Sequence, residues 1–99
     1  MSYQLRFTDE ALEDLGRLYD YLIAYDLDLA DRAYDAIMKA LVVLEEFPFS
    51  CRKASSENTL MRELLVPFGS SGYVVLFHID GSQAVTIAAT RHQREDDYH

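Results

Sequence analysis

The chain has 99 residues, 49% of them hydrophobic and 26% charged, which suits a single globular core and excludes an intrinsically disordered chain. A formal charge of −8, with a sequence pI near 4.6, excludes a domain that grips nucleic acid by bulk positive charge. The charge is uneven: residues 1–49 carry eleven acids against four bases and residues 50–99 six against five, which leaves room for a local basic site in the second half.

Tyr3, Leu5 and Phe7 alternate with Gln4 and Arg6, the period of a short half-buried strand. Thr8 offers an N-cap hydroxyl, and Asp9 and Glu10 put negative charge where a helix dipole favours it. Leu12, Leu15, Leu18, Tyr19, Leu22 and Ile23 then recur at helical spacing, predicting an amphipathic helix over 9–25. Tyr25-Asp26-Leu27-Asp28 interrupts it. Leu29, Ala33, Ile37, Ala40, Leu41 and Leu44 form the stripe of a second helix ending near Glu46, before Pro48. So short a connection predicts an antiparallel helical hairpin.

Residues 48–59, with Ser50, Ser55, Ser56 and Asn58, read as a long loop. Leu60 to Val66 is a strand, and Pro67 to Gly72 a turn segment. Tyr73 to Ile79 is a near-continuous apolar run, as expected of a central strand covered on both faces. Asp80-Gly81 signals a tight hairpin, and Ala84 to Thr90 is the last strand. The order strand, helix, helix, strand, strand, strand predicts one α+β domain over 1–99, its helical hairpin packed on one face of a mostly antiparallel sheet. With no basic, apolar leader, no membrane-length apolar run and one cysteine, the chain reads as a reduced cytoplasmic protein away from membranes. No metal or cofactor is expected, since zinc-type spacing and a phosphate-binding glycine loop are both missing from the sequence.

The candidate chemistry lies near the end of the chain. Arg91, His92 and Arg94 follow the last strand, Arg62 sits on a neighbouring one, and Arg52-Lys53 lie in the long loop. Converged on one rim, these cations would hold an anion, a nucleic acid or a polar partner. The alternative is a solvated terminus whose arginines pair with Glu95, Asp96 and Asp97. His92 and Tyr98 are candidate proton-transfer groups, although a polar-tail histidine is more often simply exposed. His78, in an apolar strand, reads as a satisfied structural residue. Cys51 stands beside Arg52 and Lys53, which would depress its pKa, but it has no identifiable base partner.

Taken together, these residues resemble the ParE branch of the ParE/RelE toxin superfamily, the toxin halves of bacterial type II toxin–antitoxin pairs. The resemblance rests on the Thr8-Asp9-Glu10-Ala11 helix start, Leu15 through Tyr21-Leu22, and the Ala33–Leu44 helix closed by Glu46-Phe47-Pro48. It continues through Arg62-Glu63-Leu64, Gly72-Tyr73-Val74-Val75-Leu76-Phe77 and the ending Arg91-His92-Gln93-Arg94-Glu95. The resemblance implies a growth-inhibiting toxin of the plasmid-stabilisation kind, neutralised by a cognate antitoxin encoded beside it and reaching operator DNA only through that antitoxin. ParE-like members inhibit DNA gyrase, whereas RelE-like members cleave messenger RNA on the ribosome. Arg62, Arg91, His92 and Arg94 are the expected target-binding residues. With Tyr98 they are also the catalytic candidates if the chain is a ribonuclease, though the nuclease branch carries a denser basic surface. A chain of charge −8 would repel ribosomal RNA outside a small rim, which favours gyrase. A third reading is an inactive member that only binds the antitoxin and co-regulates its promoter.

Overall fold

In the computed structural model, which describes residues 2–93, the chain runs β1 (Gln4–Phe7), α1 (Asp9–Ile23), α2 (Leu27–Glu46), a 3-10 turn (Pro48–Ser50), β2 (Arg52–Lys53), β3 (Met61–Phe68), β4 (Ser71–Asp80) and β5 (Ala84–His92). Both helices lie against one face of a five-stranded sheet ordered β1-β5-β4-β3-β2. The α+β architecture with a helical hairpin is therefore the one observed.

Local chemistry sets the helix ends. The Thr8 hydroxyl accepts the Ala11 N–H at 3.0 Å, and Asp9 and Glu10 occupy the first turn of α1. The N–H groups of Tyr25 and Asp26 both donate to the Leu22 carbonyl, closing α1. The Asp26 carboxylate accepts the Asp28 N–H at 2.9 Å and opens α2. From α1, Ala11, Leu15 and Leu18 are buried; from α2, Ala30, Ala33, Ile37, Leu41 and Leu44. They meet Val66, Tyr73, Val75, Phe77, Ile79, Val85 and Ile87 from the sheet, and this is the core.

The structure corrects the sequence reading in three places and adds one strand pairing that it left open. First, β4 is central in the sheet but covered on one face only: Tyr73, Val75, Phe77 and Ile79 are buried, while Val74, Leu76, His78 and Asp80 are half-buried on the face without helices. Two helices on the same side cannot cover both faces. Second, β1 pairs with β5 in parallel, because the helical hairpin carries the chain back to the opposite end of the sheet. Third, the expected loop over 48–59 holds the 3-10 turn and β2, which pairs antiparallel with β3. Fourth, β3 and β4 extend through most of the expected turn, with Phe68 paired to Ser71.

The β4–β5 connection spans Gly81 to Gln83, with Gly81 at φ +65°, a backbone conformation that favours glycine. The register then slips between Leu76 and Phe77, which pair with Ala89 and Ile87, leaving Ala88 as the extra residue of a bulge. Beyond β1, α1 takes over the edge of β5: the Thr8 hydroxyl donates to the Ala88 carbonyl, and the Asp14 carboxylate accepts the Thr90 N–H at 3.0 Å.

Candidate functional site

Strand alternation decides where the expected basic residues go. Arg91 pairs with Val74 and so faces away from the helices, whereas His92 pairs with buried Tyr73 and faces them. Arg62 pairs with Phe77 and is also on the helix side. Arg62 and His92 are thus on one face of the sheet and Arg91 on the other, and Arg94 and Tyr98 lie outside the described residues.

On the open face, Glu63 sits between two arginines. Its carboxylate accepts from Arg52 Nε at 2.9 Å and faces Arg91 Nη2 at 4.0 Å. An acid thus links Arg52 and Arg91 on this face, while Lys53 is the cross-strand partner of Arg62. Further along this face, Asp80 accepts a short hydrogen bond from the Thr86 hydroxyl and lies 2.6 Å from His78 Nδ1. The Thr86 hydrogen bond is the main cause holding the Asp80 carboxyl below its ordinary range; His78 and Arg6 pull the same way, against partial desolvation. His78 is therefore a satisfied face residue, as the sequence implied. Its partnership with Asp80 had a usable signal, since residues two apart on a strand share a face.

Arg62 works as a clamp. Its guanidinium donates to the carbonyls of Thr59 (2.8 Å), Cys51 (2.9 Å) and Phe49 (3.3 Å) and stands over the Phe49 ring, 5.3 Å from its centroid. It ties the 3-10 turn and the loop before β3 to the sheet. Cys51, beside it, is half-buried, and burial pushes its thiol up despite the opposing effects of Ser50 and Arg62. A depressed, reactive thiol is not what the environment produces.

His92 forms part of a groove of about 640 Å³ between α1 and the β3–β4 turn, together with Arg17, Leu22, Phe68 and Ser71. His92 Nε2 is 2.9 Å from the Ser71 hydroxyl, and its ring meets Tyr73 edge-on at 5.4 Å. Arg17 reaches Asp14 at 2.9 Å and has further contacts, as do Tyr73, Arg91 and His92. Sequence reading missed Arg17, because nothing in its spacing indicates that α1 passes beside the β3–β4 turn. Among the described residues, no three His, Cys, Asp or Glu side chains are grouped to hold a metal, and no helix is long and apolar enough to cross a membrane.

Residues 5–97 match the family model for the ParE toxin of the type II toxin–antitoxin system parDE. The chain is a ParE-family toxin. It is 36% identical to Toxin RelE3 of Caulobacter vibrioides over 85 residues, covering 86% of this chain and 88% of that one. The fold is similar to that in the structure of a chromosomal ParDE toxin–antitoxin system from P. aeruginosa, with a TM-score of 0.73 at 20% identity, covering 92% of this chain and 96% of that one. It is also similar to that in the RelBE2 toxin–antitoxin complex of Mycobacterium tuberculosis, with a TM-score of 0.60 at 21% identity, covering 94% and 100% of the two chains. The ParE/RelE assignment thus joins family, sequence and fold. The α1–α2 hairpin and the open sheet face are two separate surfaces of this toxin.

Proposed function

We propose that this ParE-family toxin arrests growth by binding DNA gyrase, and that a cognate antitoxin encoded beside it holds it inactive. Contact with operator DNA is then made through the antitoxin. The observation that carries the choice of a protein target is Glu63, placed between Arg52 and Arg91 on the open face. Cleaving RNA through its 2′-hydroxyl needs cations over the scissile phosphate and a proton acceptor and donor around the same point. Here the paired arginines lean on an acid, and His92 lies on the other side of the sheet. A mixed-sign surface of this kind suits a protein partner better than a polyanion. The ParDE and RelBE2 structures are toxin–antitoxin assemblies, which supports a cognate antitoxin for this chain.

Induction of the toxin without its antitoxin is the test. Loss of supercoiling or DNA breakage is expected, with messenger RNA left intact. Arg91→Ala combined with Arg94→Ala should abolish arrest in a folded, antitoxin-competent protein. His92→Ala should cost a ribonuclease about 10²–10⁴ in rate, but a gyrase inhibitor only the contact energy of a partly exposed polar group. Messenger RNA cleavage on induction would replace gyrase with the ribosome, and unimpaired growth would leave co-regulation as the role.

A further inference from the structure

α1 passes the start of β4 and the end of β5, and the groove of about 640 Å³ lies where they meet. Small-molecule sites typically hold about 300–1,000 Å³, so the size is that of a ligand pocket. Leu18 and Leu22, one turn apart on α1, give one wall, and Phe68 and Tyr73 of the sheet give the other. The Phe68 and Tyr73 ring centroids are 6.1 Å apart with the planes tilted by 39°, and the His92 ring meets Tyr73 edge-on at 5.4 Å. A further flat ring placed here meets aromatic faces and edges at the spacing such pairs prefer.

The charge of the lining is opposite to that of its surroundings. α1 carries five acids and one base, and it is the base, Arg17, that lines the groove. Among the described residues, no carboxylate does. Arg17 is set in place from the sheet: Asp14 accepts the Thr90 N–H at 3.0 Å with one oxygen and the Arg17 Nη1 hydrogen bond at 2.9 Å with the other. The Arg17 side chain is still 49% exposed, so a ligand can reach it. On the sheet side, His92 Nε2 is 2.9 Å from the Ser71 hydroxyl. When the ring N–H donates to Ser71 Oγ, the hydroxyl hydrogen is left to donate to an acceptor in the groove.

An aromatic slot with a guanidinium and a hydroxyl donor at its rim has the chemistry of a carboxylate site. The surroundings set how much charge it takes. Residues 9–46 contain eleven acids and three bases, and the field of that hairpin opposes a dianion, such as a phosphate monoester, about twice as strongly as a monoanion. We infer that the groove binds a small aromatic monocarboxylate, its ring between Leu22 and Phe68 and its carboxylate on Arg17 and the Ser71 hydroxyl. The groove is on the helix side of the sheet, away from Glu63 and its two arginines, so this inference stands apart from the gyrase reading.

The experiment is an NMR titration of the full chain near neutrality with indole-3-acetate, using indole-3-acetamide as the neutral control and phenyl phosphate as the dianion. Indole-3-acetate should bind saturably with a dissociation constant of about 1 mM or below. It should shift the ring signals of Phe68, Tyr73 and His92 and leave the methyl signals of Leu65 and Leu76, on the open face, in place. The amide and the phosphate should each bind about tenfold more weakly or worse. Arg17→Ala should weaken the acid by about tenfold and leave the amide unchanged. Ser71→Ala removes the donor from the sheet side and should lower the acid's affinity in the same selective way, so a disturbance of α1 by the first variant does not decide the result. Thermal midpoints of both variants check the fold. The site is overturned by the absence of saturable shifts with indole-3-acetate, by shifts confined to other surfaces, or by an acid that binds both variants as tightly as the wild type. Equal affinities for acid and amide overturn the carboxylate, and tighter binding of phenyl phosphate overturns the preference for a single charge.

Discussion

Leu76 and Phe77 are neighbours in β4 that point to opposite faces of the sheet, and their chemistry differs accordingly. Phe77 is fully buried against both helices, whereas Leu76 is half-buried on the open face. Phe77→Ala is expected to cost about 3–5 kcal/mol from lost burial plus the cavity, and Leu76→Ala about 1–2 kcal/mol, both read from urea denaturation. Equal losses would mean that the open face is covered. The apolar run Tyr73 to Ile79 shows in the sequence that a strand is there, but not that only one face is covered, because Val74 and Leu76 are as apolar as their buried neighbours.

Asp80 gives a pH signature at the same scale. Its carboxyl is held below its ordinary range in the folded chain, chiefly by Thr86. Its contribution is therefore present above the unfolded-state value and is lost as pH falls through the folded one. The stability difference between the wild type and Asp80→Asn should be fullest near neutrality and shrink below about pH 3.9, the ordinary Asp value. Thermal midpoints measured across that range decide it, and a gap that widens in acid would contradict the assignment.

Between strands, Gly72 marks a close approach of two backbones. A side chain there would collide with the Val66 carbonyl oxygen, and the Gly72 carbonyl also accepts the Gln93 N–H at 2.9 Å. Gly72→Ala should destabilise by about 1–3 kcal/mol, as overpacking does, and differential scanning calorimetry would show it as a lowered midpoint. Arg62 has an equally local reach. Arg62→Lys keeps the charge but loses the planar fork that serves three carbonyls. Amide exchange over residues 49–60 should quicken while β4 and β5 stay protected. The helices were legible from sequence because Thr8, Asp26 and the leucine stripes each state a physical requirement. The two-residue β2 and the Ala88 bulge were not, since each depends on a partner strand rather than on its own residues. That is also why the convergence of the basic residues was not legible: Arg91 and His92 are neighbours in sequence, and the pleat puts them on opposite faces.

For the whole molecule, charge is concentrated on the helical hairpin, and the remaining residues are balanced. Free toxin should therefore gain stability as salt screens that repulsion. Relief of about 1 kcal/mol would raise the thermal midpoint by about 4–8 °C in a domain of this size. A midpoint that falls with added NaCl would show that ion pairs, such as Arg32 with Asp28, outweigh the repulsion. The parallel pairing of β1 with β5 carries a different consequence, one that concerns synthesis. Leu5 pairs with Val85 and Phe7 with Ile87, so the first strand has no neighbour in the sheet until nearly the last one has been made. At about 5–20 residues per second, that wait is about 4–16 s, during which the nascent chain can form its hairpin but cannot close its sheet. The chain thus leaves the ribosome with its helices formed first and its sheet closed last, so the hairpin is on display for that interval before β1 and β5 can meet.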